Sequence, residues 1–185
     1  MNQEAAGRVE AVGDGVEGFA PGDRVALLAE GCYATHATVP AATAFALPEA
    51  IDSRTAAAVL LKGLTAWMLA EGVRPIQAGT TVLVLAAAGG VGSLLVPWLK
   101  SLGANVIAHA GSAEKAAMAA KAGADHALHE PWDALAAKVR ALTDGRGADL
   151  VLDGVGKDSW AASLASTARL GLIASYGNAS GPVPP

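Results

Sequence analysis

The sequence is poor in cysteine and in clustered charge, and each shortage excludes a class of function. Cys32 is the only cysteine among 185 residues, which excludes an internal disulfide and a zinc site built from several cysteines. The formal net charge is −4 and the charged residues are scattered, so the chain lacks the electrostatic footprint of a nucleic-acid-binding or membrane-surface protein. We therefore expect a reducing, cytoplasmic setting, no nucleic-acid partner and no membrane partner.

Charge is also missing from the whole stretch between Arg74 and Lys100, which is longer than the roughly 20 residues of a membrane span. Gly89, Gly90, Gly92 and Pro97 interrupt this stretch, and its pattern is that of a buried strand, a glycine turn and a helix. We therefore expect no membrane span here. The first residues have neither the basic nor the apolar region of a signal peptide, so we expect none.

A glycine turn in this stretch is the most specific motif of the chain. The run TVLVLAAAGGVG, from Thr81 to Gly92, contains the spacing G-x-G-x-x-G with Ala87 in place of the first glycine. Binding a dinucleotide pyrophosphate requires a tight turn, close approach of the backbone, and a helix that begins with free N–H groups. The motif predicts a dinucleotide site that uses Gly89, Gly90, Val91 and Gly92.

The segments after this turn alternate between apolar strands and amphipathic helices, which is typical of a parallel sheet with helices on both faces. Residues before Ile76 contain short strands and turns, followed by one helix. We predict a β domain with a connecting helix in residues 1–75 and a dinucleotide-binding domain in residues 76–185. The predicted strands are 7–13, 23–27, 33–39, 81–86, 105–110, 126–129, 149–153 and 171–176, and the predicted helices are 53–71, 90–102, 113–122, 133–142 and 157–168.

The residues about 20 positions beyond the turn favour NADP over NAD. An NAD-binding fold usually carries an acid there, which holds the 2′-hydroxyl of the ribose. Here the segment is Ala108-His109-Ala110, without an acid that would repel a 2′-phosphate. Gly111, Ser112 and Lys115 follow, and the ammonium of Lys115 could supply positive charge.

Several motifs together resemble the zinc-independent medium-chain dehydrogenase/reductase family, in its quinone oxidoreductase (zeta-crystallin-like) branch. They are EAAGRVEAVG from Glu4, GDRV from Gly22, LKGLTA from Leu61, AAAGGVG from Ala86, DGVG from Asp153 and YGNASG from Tyr176. The resemblance implies an α/β protein: part of a GroES-like β domain followed by an incomplete, Rossmann-type doubly wound parallel sheet. Members of this family begin earlier and end later, so we expect the chain to be a fragment that lacks both ends. Relatives commonly form homodimers through a sheet edge whose strand is missing here.

The function implied by the resemblance is hydride transfer from NADPH to a quinone or an α,β-unsaturated carbonyl, without zinc. Zinc-dependent relatives place a histidine where this chain has Gln3. No general acid is obvious, so we assign no catalytic residue and no metal ligand. The alternative is a catalytically inactive NADP-binding fragment or module. A third interpretation, an RNA-binding or crystallin-like protein, rests only on what some relatives do.

The resemblance also implies roles for individual residues. Gly111, Ser112 and Lys115 would hold the 2′-phosphate, unless Lys115 is a solvated helix residue that pairs with Glu114 or Asp125. The nicotinamide half would be lined by residues that follow the fourth and fifth strands of the parallel sheet, although Tyr176 could be a core residue and Asn178 a turn residue. These residues are Val155, Gly156, Tyr176, Gly177 and Asn178. Thr65 and Lys62 are pocket candidates by position, or else ordinary residues of the helix.

Two departures from the family pattern bear on cofactor binding. Glu130 stands where relatives often have tyrosine or histidine, and its carboxylate would weaken NADP binding if it pointed inward. Pro97 stands inside the helix that follows the glycine turn, where it removes a backbone hydrogen bond at a cost of about 3 kcal/mol.

Overall fold

The computed structural model describes residues 3–184, which form two compact units divided between Leu64 and Thr65. This division falls inside a helix, ten residues or so before the boundary at residue 75 that the sequence suggests. The predicted domain ranges, 1–75 and 76–185, therefore stay a prediction. The two units are described one at a time.

The first unit contains a three-stranded antiparallel sheet. Its strands are β1 (Glu4–Arg8), β2 (Arg24–Leu28) and β3 (Ala44–Ala46), with β2 in the centre. The turn before β2 uses Gly22 in a left-handed conformation (φ 98°), and the N–H of Gly22 donates to the carbonyl of Val9. Helix α1 (Ser53–Trp67) follows, and the carboxylate of Asp52 accepts from the N–H and the hydroxyl of Thr55 at its start.

Two of the predicted strands in this unit differ from the structure. The predicted strand 33–39 is wrong, because these residues pair with no described strand and β3 lies beside β2 instead. The first strand ends at Arg8 rather than continuing to Gly13, since Val9 already exchanges hydrogen bonds with the turn at Gly22 and Asp23. Helix α1 also ends early, and Met68–Gly72 continue it as one π-helical turn.

The second unit is a five-stranded parallel sheet with helices on both faces. Its elements are β4 (Thr81–Val84), α2 (Gly92–Ser101), β5 (Asn105–His109), α3 (Ala113–Lys121), β6 (His126–Leu128), α4 (Trp132–Ala141), β7 (Ala148–Asp153), α5 (Trp160–Ser166) and β8 (Thr167–Ser175). The strand order is β6-β5-β4-β7-β8, so the direction of winding reverses at β4. The predicted doubly wound sheet is confirmed. Helix α5 is shorter than predicted, and β8 begins four residues early.

Alternation along β4 explains why both faces of the sheet are covered. Val82 and Val84 are buried in one apolar cluster, and Leu83 is buried in the other. The first cluster includes Leu95 and Leu99 of α2, and the second includes Leu135 and Val139 of α4. Helices therefore cover both faces of the sheet, and the strand ends stay open to a ligand.

The carboxyl ends of β4, β5 and β7 lie next to one another at the point of reversal. In open α/β sheets, ligands bind at this edge. The glycine turn follows β4, the segment with Gly111 follows β5, and the segment with Val155 follows β7. The fold therefore places most of the predicted site residues at one edge. Within residues 3–184, no helix has both the length and the apolar character needed to cross a lipid bilayer.

Candidate functional site

The glycine turn is a sharp reversal held by backbone hydrogen bonds. Ala86 has a left-handed conformation (φ 51°), which is uncommon for a residue with a side chain. The N–H of Ala87 donates to the carbonyl of His109 (2.9 Å), and the N–H of Gly89 donates to the carbonyl of Ala86 (2.8 Å). These bonds fix the end of β4 against β5 and turn the chain into α2.

The turn leaves space that only glycine can leave. A Cβ atom on Gly92 would lie 2.5 Å from the carbonyl oxygen of Ala86 and 2.6 Å from Cα of Ala87. The backbone N–H groups of Gly90, Val91 and Gly92 donate to no other residue in the described range 3–184. A close-packed turn with free N–H groups ahead of a ten-residue helix is the arrangement that binds a pyrophosphate. These residues fit a dinucleotide.

A cavity of about 130 Å³ joins the turn to the segment after β5. Its lining residues are Ala86, Ala88, Gly89, Ala110, Gly111 and Lys115. The structure thus brings together two groups of residues that lie more than 20 positions apart in the sequence. Ser112, which follows Gly111, does not line the cavity, and it caps α3 by accepting from the N–H of Lys115 (3.2 Å).

Lys115 is an exposed cation on the first turn of α3, beside this cavity. The structure gives it no ion pair within residues 3–184, and neither Glu114 nor Asp125 neutralises it. Asp125 pairs instead with Lys100, at 2.8 Å. This arrangement leaves the charge of Lys115 available to an anion in the cavity.

Glu130 does not line the cavity. Its Oε2 accepts from the N–H of His129 (3.0 Å), so the carboxylate is turned toward its own chain. Its carbonyl lies 2.9 Å from Nε2 of His109, a buried imidazole whose centroid is 4.5 Å from that of Trp132, with the two rings tilted by 42°. Burial lowers the pKa of His109, against the opposing effect of the Glu130 carbonyl. Nδ1 of His109 is buried with no hydrogen-bond partner among the described residues.

The residues predicted for the nicotinamide half come from two loops that contact each other. The N–H of Tyr176 donates to the carbonyl of Asp153 (2.9 Å), and the N–H of Ser180 donates to the carbonyl of Val155 (2.8 Å). A Cβ on Gly177 would lie 2.7 Å from the carbonyl oxygen of Gly154. The structure therefore brings together Val155, Gly156, Tyr176, Gly177 and Asn178.

The contacts of Tyr176 and Asn178 also fit the alternatives, which are a core residue for Tyr176 and a turn residue for Asn178. Tyr176 packs against the core cluster beneath β4, and burial with the nearby Asp153 charge raises the pKa of its phenol to about 12. Asn178 is exposed, and its carbonyl accepts from the N–H of Gly181 in a turn. Thr65 lies half-buried near the end of α1 and belongs to neither of the two groups of site residues.

The sequence analysis names Asp153 only as part of the DGVG motif and predicts no structural role for its side chain. It is fully buried at the end of β7, and it accepts from two backbone N–H groups and from two serines, Ser159 and Ser163. An acid that directly follows the apolar run LVL is the signal that could have identified it. The spacing of the two serines, four residues apart along α5 and its start, could have identified the partners.

A second cavity, of about 610 Å³, lies in the first unit and is lined mostly by small apolar residues of 5–44. None of the predicted site residues lines it. Within residues 3–184, no three His, Cys, Asp or Glu side chains are grouped so that they could hold a metal ion.

The fold and the glycine turn define a dinucleotide-binding α/β protein, and comparison with known proteins identifies its family. A family model described as zinc-binding dehydrogenase matches residues 90–184, and a model described as alcohol dehydrogenase GroES-like domain matches residues 1–49. The quinone oxidoreductase of Pseudomonas aeruginosa is 43% identical over 99% of this chain and 57% of its own length. The 2-haloacrylate reductase of a Burkholderia species is 39% identical over 98% of this chain and 56% of its own length.

Solved structures agree with these relatives. The crystal structure of Escherichia coli quinone oxidoreductase complexed with NADPH superimposes with a TM-score of 0.95 at 40% identity, over the whole of this chain and 57% of that one. The chain belongs to the medium-chain dehydrogenase/reductase family, in its quinone oxidoreductase branch. It spans a little over half the length of the quinone oxidoreductases that it matches.

Proposed function

We propose that this chain binds NADPH and forms part of an oxidoreductase that transfers hydride to a quinone or an α,β-unsaturated carbonyl. The observation that carries the proposal is the cavity shared by the glycine turn and Lys115. The E. coli relative, solved with NADPH, supports the cofactor, and the 2-haloacrylate reductase supports an unsaturated acceptor next to a carboxyl group.

Each part of the proposed site has a distinct task. When bound, NADPH supplies the hydride. The free N–H groups of Gly90, Val91 and Gly92 bind the pyrophosphate, with Gly89 giving the backbone room to approach. Gly111 and Ser112 border the 2′-phosphate, and the ammonium of Lys115 pairs with it. The residues along the nicotinamide half are Thr65, Val155, Gly156, Tyr176, Gly177 and Asn178.

A charge-removing substitution tests the cofactor preference. Lys115→Gln should weaken NADPH binding about ten- to a hundredfold, because a hydrogen bond to a charged group contributes about 1.5–3 kcal/mol. NADH lacks the 2′-phosphate, so its affinity should not change. Lys121→Gln, at the other end of α3, is the matched control and should leave both affinities unaltered. Equal losses for NADPH and NADH in a fluorescence titration would contradict the role of Lys115.

We propose that the reaction is independent of zinc. The donor set supports this, since Gln3 replaces the histidine of zinc-dependent relatives and Cys32 is the only cysteine. Treatment with a chelator should leave NADPH binding and the melting temperature unchanged. A lower affinity after chelation, restored by added zinc, would contradict this part of the proposal.

Turnover separates this proposal from its alternative, an NADP-binding module without activity. The alternative concerns this 185-residue chain by itself. Oxidation of NADPH in the presence of a soluble quinone, measured as a loss of NADPH absorbance, would support the proposal of an enzyme. Tight NADPH binding without quinone-dependent oxidation supports the binding module.

We extend the proposal to a homodimer, which the family suggests, although the edge strand through which relatives pair is missing here and β8 would have to provide the edge. Among the described strands, β8 pairs only with β7, so its outer side is a free sheet edge. Leu170 in β8 is 93% exposed beside this edge. Sedimentation of the purified chain should show a dimer, and a monomer at high concentration would contradict this extension.

A further inference from the structure

The carboxylate of Asp153 is the most heavily hydrogen-bonded acidic group of the second unit, and nothing so far gives it a task. Its side chain is fully buried at the carboxyl end of β7. Oδ1 accepts from the N–H groups of Val155 (2.8 Å) and Gly156 (3.1 Å), and both oxygens lie within 2.9 Å of Oγ of Ser159. Oδ2 also accepts from Oγ of Ser163 (2.7 Å).

No cation compensates this carboxylate within the described part of the chain. Burying an acid without a partner cation is costly unless hydrogen bonds replace its water. At Asp153 that place is taken by two backbone N–H groups and two serine hydroxyls, all from the segment that follows β7. The acid therefore connects the end of β7 to the segment after it.

The hydrogen bonds of Asp153 determine the shape of the loop that follows it. The N–H groups of Val155 and Gly156 both point back to one oxygen, which turns the loop tightly over the end of β7. Ser159 donates its hydroxyl to the same carboxylate and its N–H to the carbonyl of Gly156 (3.2 Å). Gly156 consequently has a left-handed conformation (φ 93°).

This loop in turn positions the second loop of the nicotinamide half. The carbonyl of Val155 accepts from both the N–H and Oγ of Ser180, and the N–H of Lys157 donates to the carbonyl of Gly181. A Cβ on Gly156 would lie 2.4 Å from that same carbonyl oxygen. The two loops therefore fit together only while the first keeps its present turn.

We propose that Asp153 is a positioning residue for the nicotinamide half of the cofactor site. Its carboxylate sets the turn of residues 154–158, and that turn sets residues 176–181, which carry Tyr176, Gly177 and Asn178. This inference rests on the proposed function for the identity of the ligand. The part that concerns loop geometry stands on the hydrogen bonds alone.

The hydrogen bonds of Asp153 allow a substitution that removes its charge and still keeps the shape of the loop. Oδ1 receives backbone N–H groups, which can only donate, whereas Oδ2 receives only serine hydroxyls, which can also accept. Asp153→Asn can therefore keep its oxygen toward the loop and donate from its amide to the serines. Asp153→Ala leaves the two N–H groups without an acceptor.

The test combines hydrogen exchange of the 185-residue chain without cofactor and titration with NADPH. Asp153→Ala should accelerate exchange in residues 154–158 and 176–181, while β4 and β5 stay protected, and should weaken NADPH binding about tenfold or more, the loss expected for hydrogen bonds to a charged group. Asp153→Asn should retain affinity and exchange close to those of the original chain. Ser163→Ala is the matched control, since Ser163 contacts the carboxylate but not the loop, and it should lower only the melting temperature.

Three results would overturn the proposal. They are unchanged exchange in both loops of Asp153→Ala, unchanged NADPH affinity of that variant, and an Asp153→Asn variant as impaired as Asp153→Ala. If Asp153→Ala does not fold, Ser159→Ala replaces it, because Ser159 links the carboxylate to Gly156, and the same comparison with Ser163→Ala applies. An original chain that binds neither NADPH nor NADH contradicts the proposed function, and the exchange data then still decide whether Asp153 positions the loops.

Discussion

Replacing Gly92 with alanine should damage both the stability of the second unit and its affinity for NADPH. The added Cβ would lie 2.5, 2.6 and 2.7 Å from three backbone atoms of Ala86 and Ala87. No side chain can rotate away to relieve these contacts, so the turn itself has to move. Overpacking typically costs about 1–3 kcal/mol, and contacts with backbone place Gly92→Ala near about 3 kcal/mol.

The loss is measurable by thermal unfolding. A cost of about 3 kcal/mol corresponds to a fall of roughly 6–12 °C in melting temperature for a chain of this size. The displaced turn carries the free N–H groups, so NADPH affinity measured by fluorescence should fall at least about tenfold, which is about 1.4 kcal/mol. NADH affinity should fall by the same factor, because both cofactors share the pyrophosphate.

A matched glycine substitution controls for the general effect of adding a methyl group. A Cβ on Gly72 would meet only the side chain of Met68, at 3.7 Å, which is ordinary van der Waals contact. Gly72→Ala should therefore melt and bind like the original chain. The reasoning is refuted if Gly92→Ala and Gly72→Ala are indistinguishable in melting temperature and in affinity for both cofactors.

Three further predictions concern stability. Ser166→Ala should raise the free energy of unfolding by about 1 kcal/mol, because Oγ of Ser166 is fully buried without a partner in the described range; an unchanged denaturation midpoint would contradict this. Pro97→Ala should raise it by up to about 3 kcal/mol, since Pro97 is exposed inside α2 and alanine restores an N–H donor; a lower midpoint would show that the ring itself stabilises the helix. Burial lowers the pKa of His109, so the folded state favours the neutral ring. The contribution of this ring to the free energy of unfolding should be at its full value above the unfolded pKa of about 6.5. It should be lost as the pH drops through the lower pKa of the folded state. His109→Gln should flatten the loss of stability as the pH falls below about 6.5, and an identical pH dependence in both proteins would refute this assignment.

The parallel sheet could be predicted closely because its signals are local. The run from Thr81 to Val84 is apolar on both faces, as a strand covered on both sides has to be. Gly103 and Gly123 end α2 and α3 in left-handed conformations, which explains why the predicted helix limits differ from the structure by only one or two residues. The predicted start of α5 was too early, because the prediction included Lys157 and Asp158 in the helix. Their N–H groups instead donate to residues 181 and 180.

The first unit was harder to predict because its pairing is not local. The segment from Tyr33 to Val39 has the alternation of a strand, yet the partner of β2 is β3, from Ala44 to Ala46. A single sequence does not show which of these two segments pairs with β2, because β propensity depends on the neighbours that each strand meets. The sharp turn after β4 was predictable because it follows from a spacing of glycines, whereas the hydrogen bonds of Asp153 depend on serines from α5 and the residue before it.

The two halves of the candidate site should therefore fail in opposite ways. Around Gly92 the backbone packs so closely that no side chain fits, so harmful substitutions are those that add atoms. Around Asp153 the site is made by a buried acceptor, so harmful substitutions are those that remove one and leave N–H groups unpaired. Because Asn conserves the acceptor while changing the charge, and Ala at position 92 conserves polarity while adding volume, the pair Asp153→Asn and Gly92→Ala distinguishes the two mechanisms. Tolerance of Asn at 153 together with intolerance of Ala at 92 is the pattern that follows from a site shaped by backbone geometry in both halves.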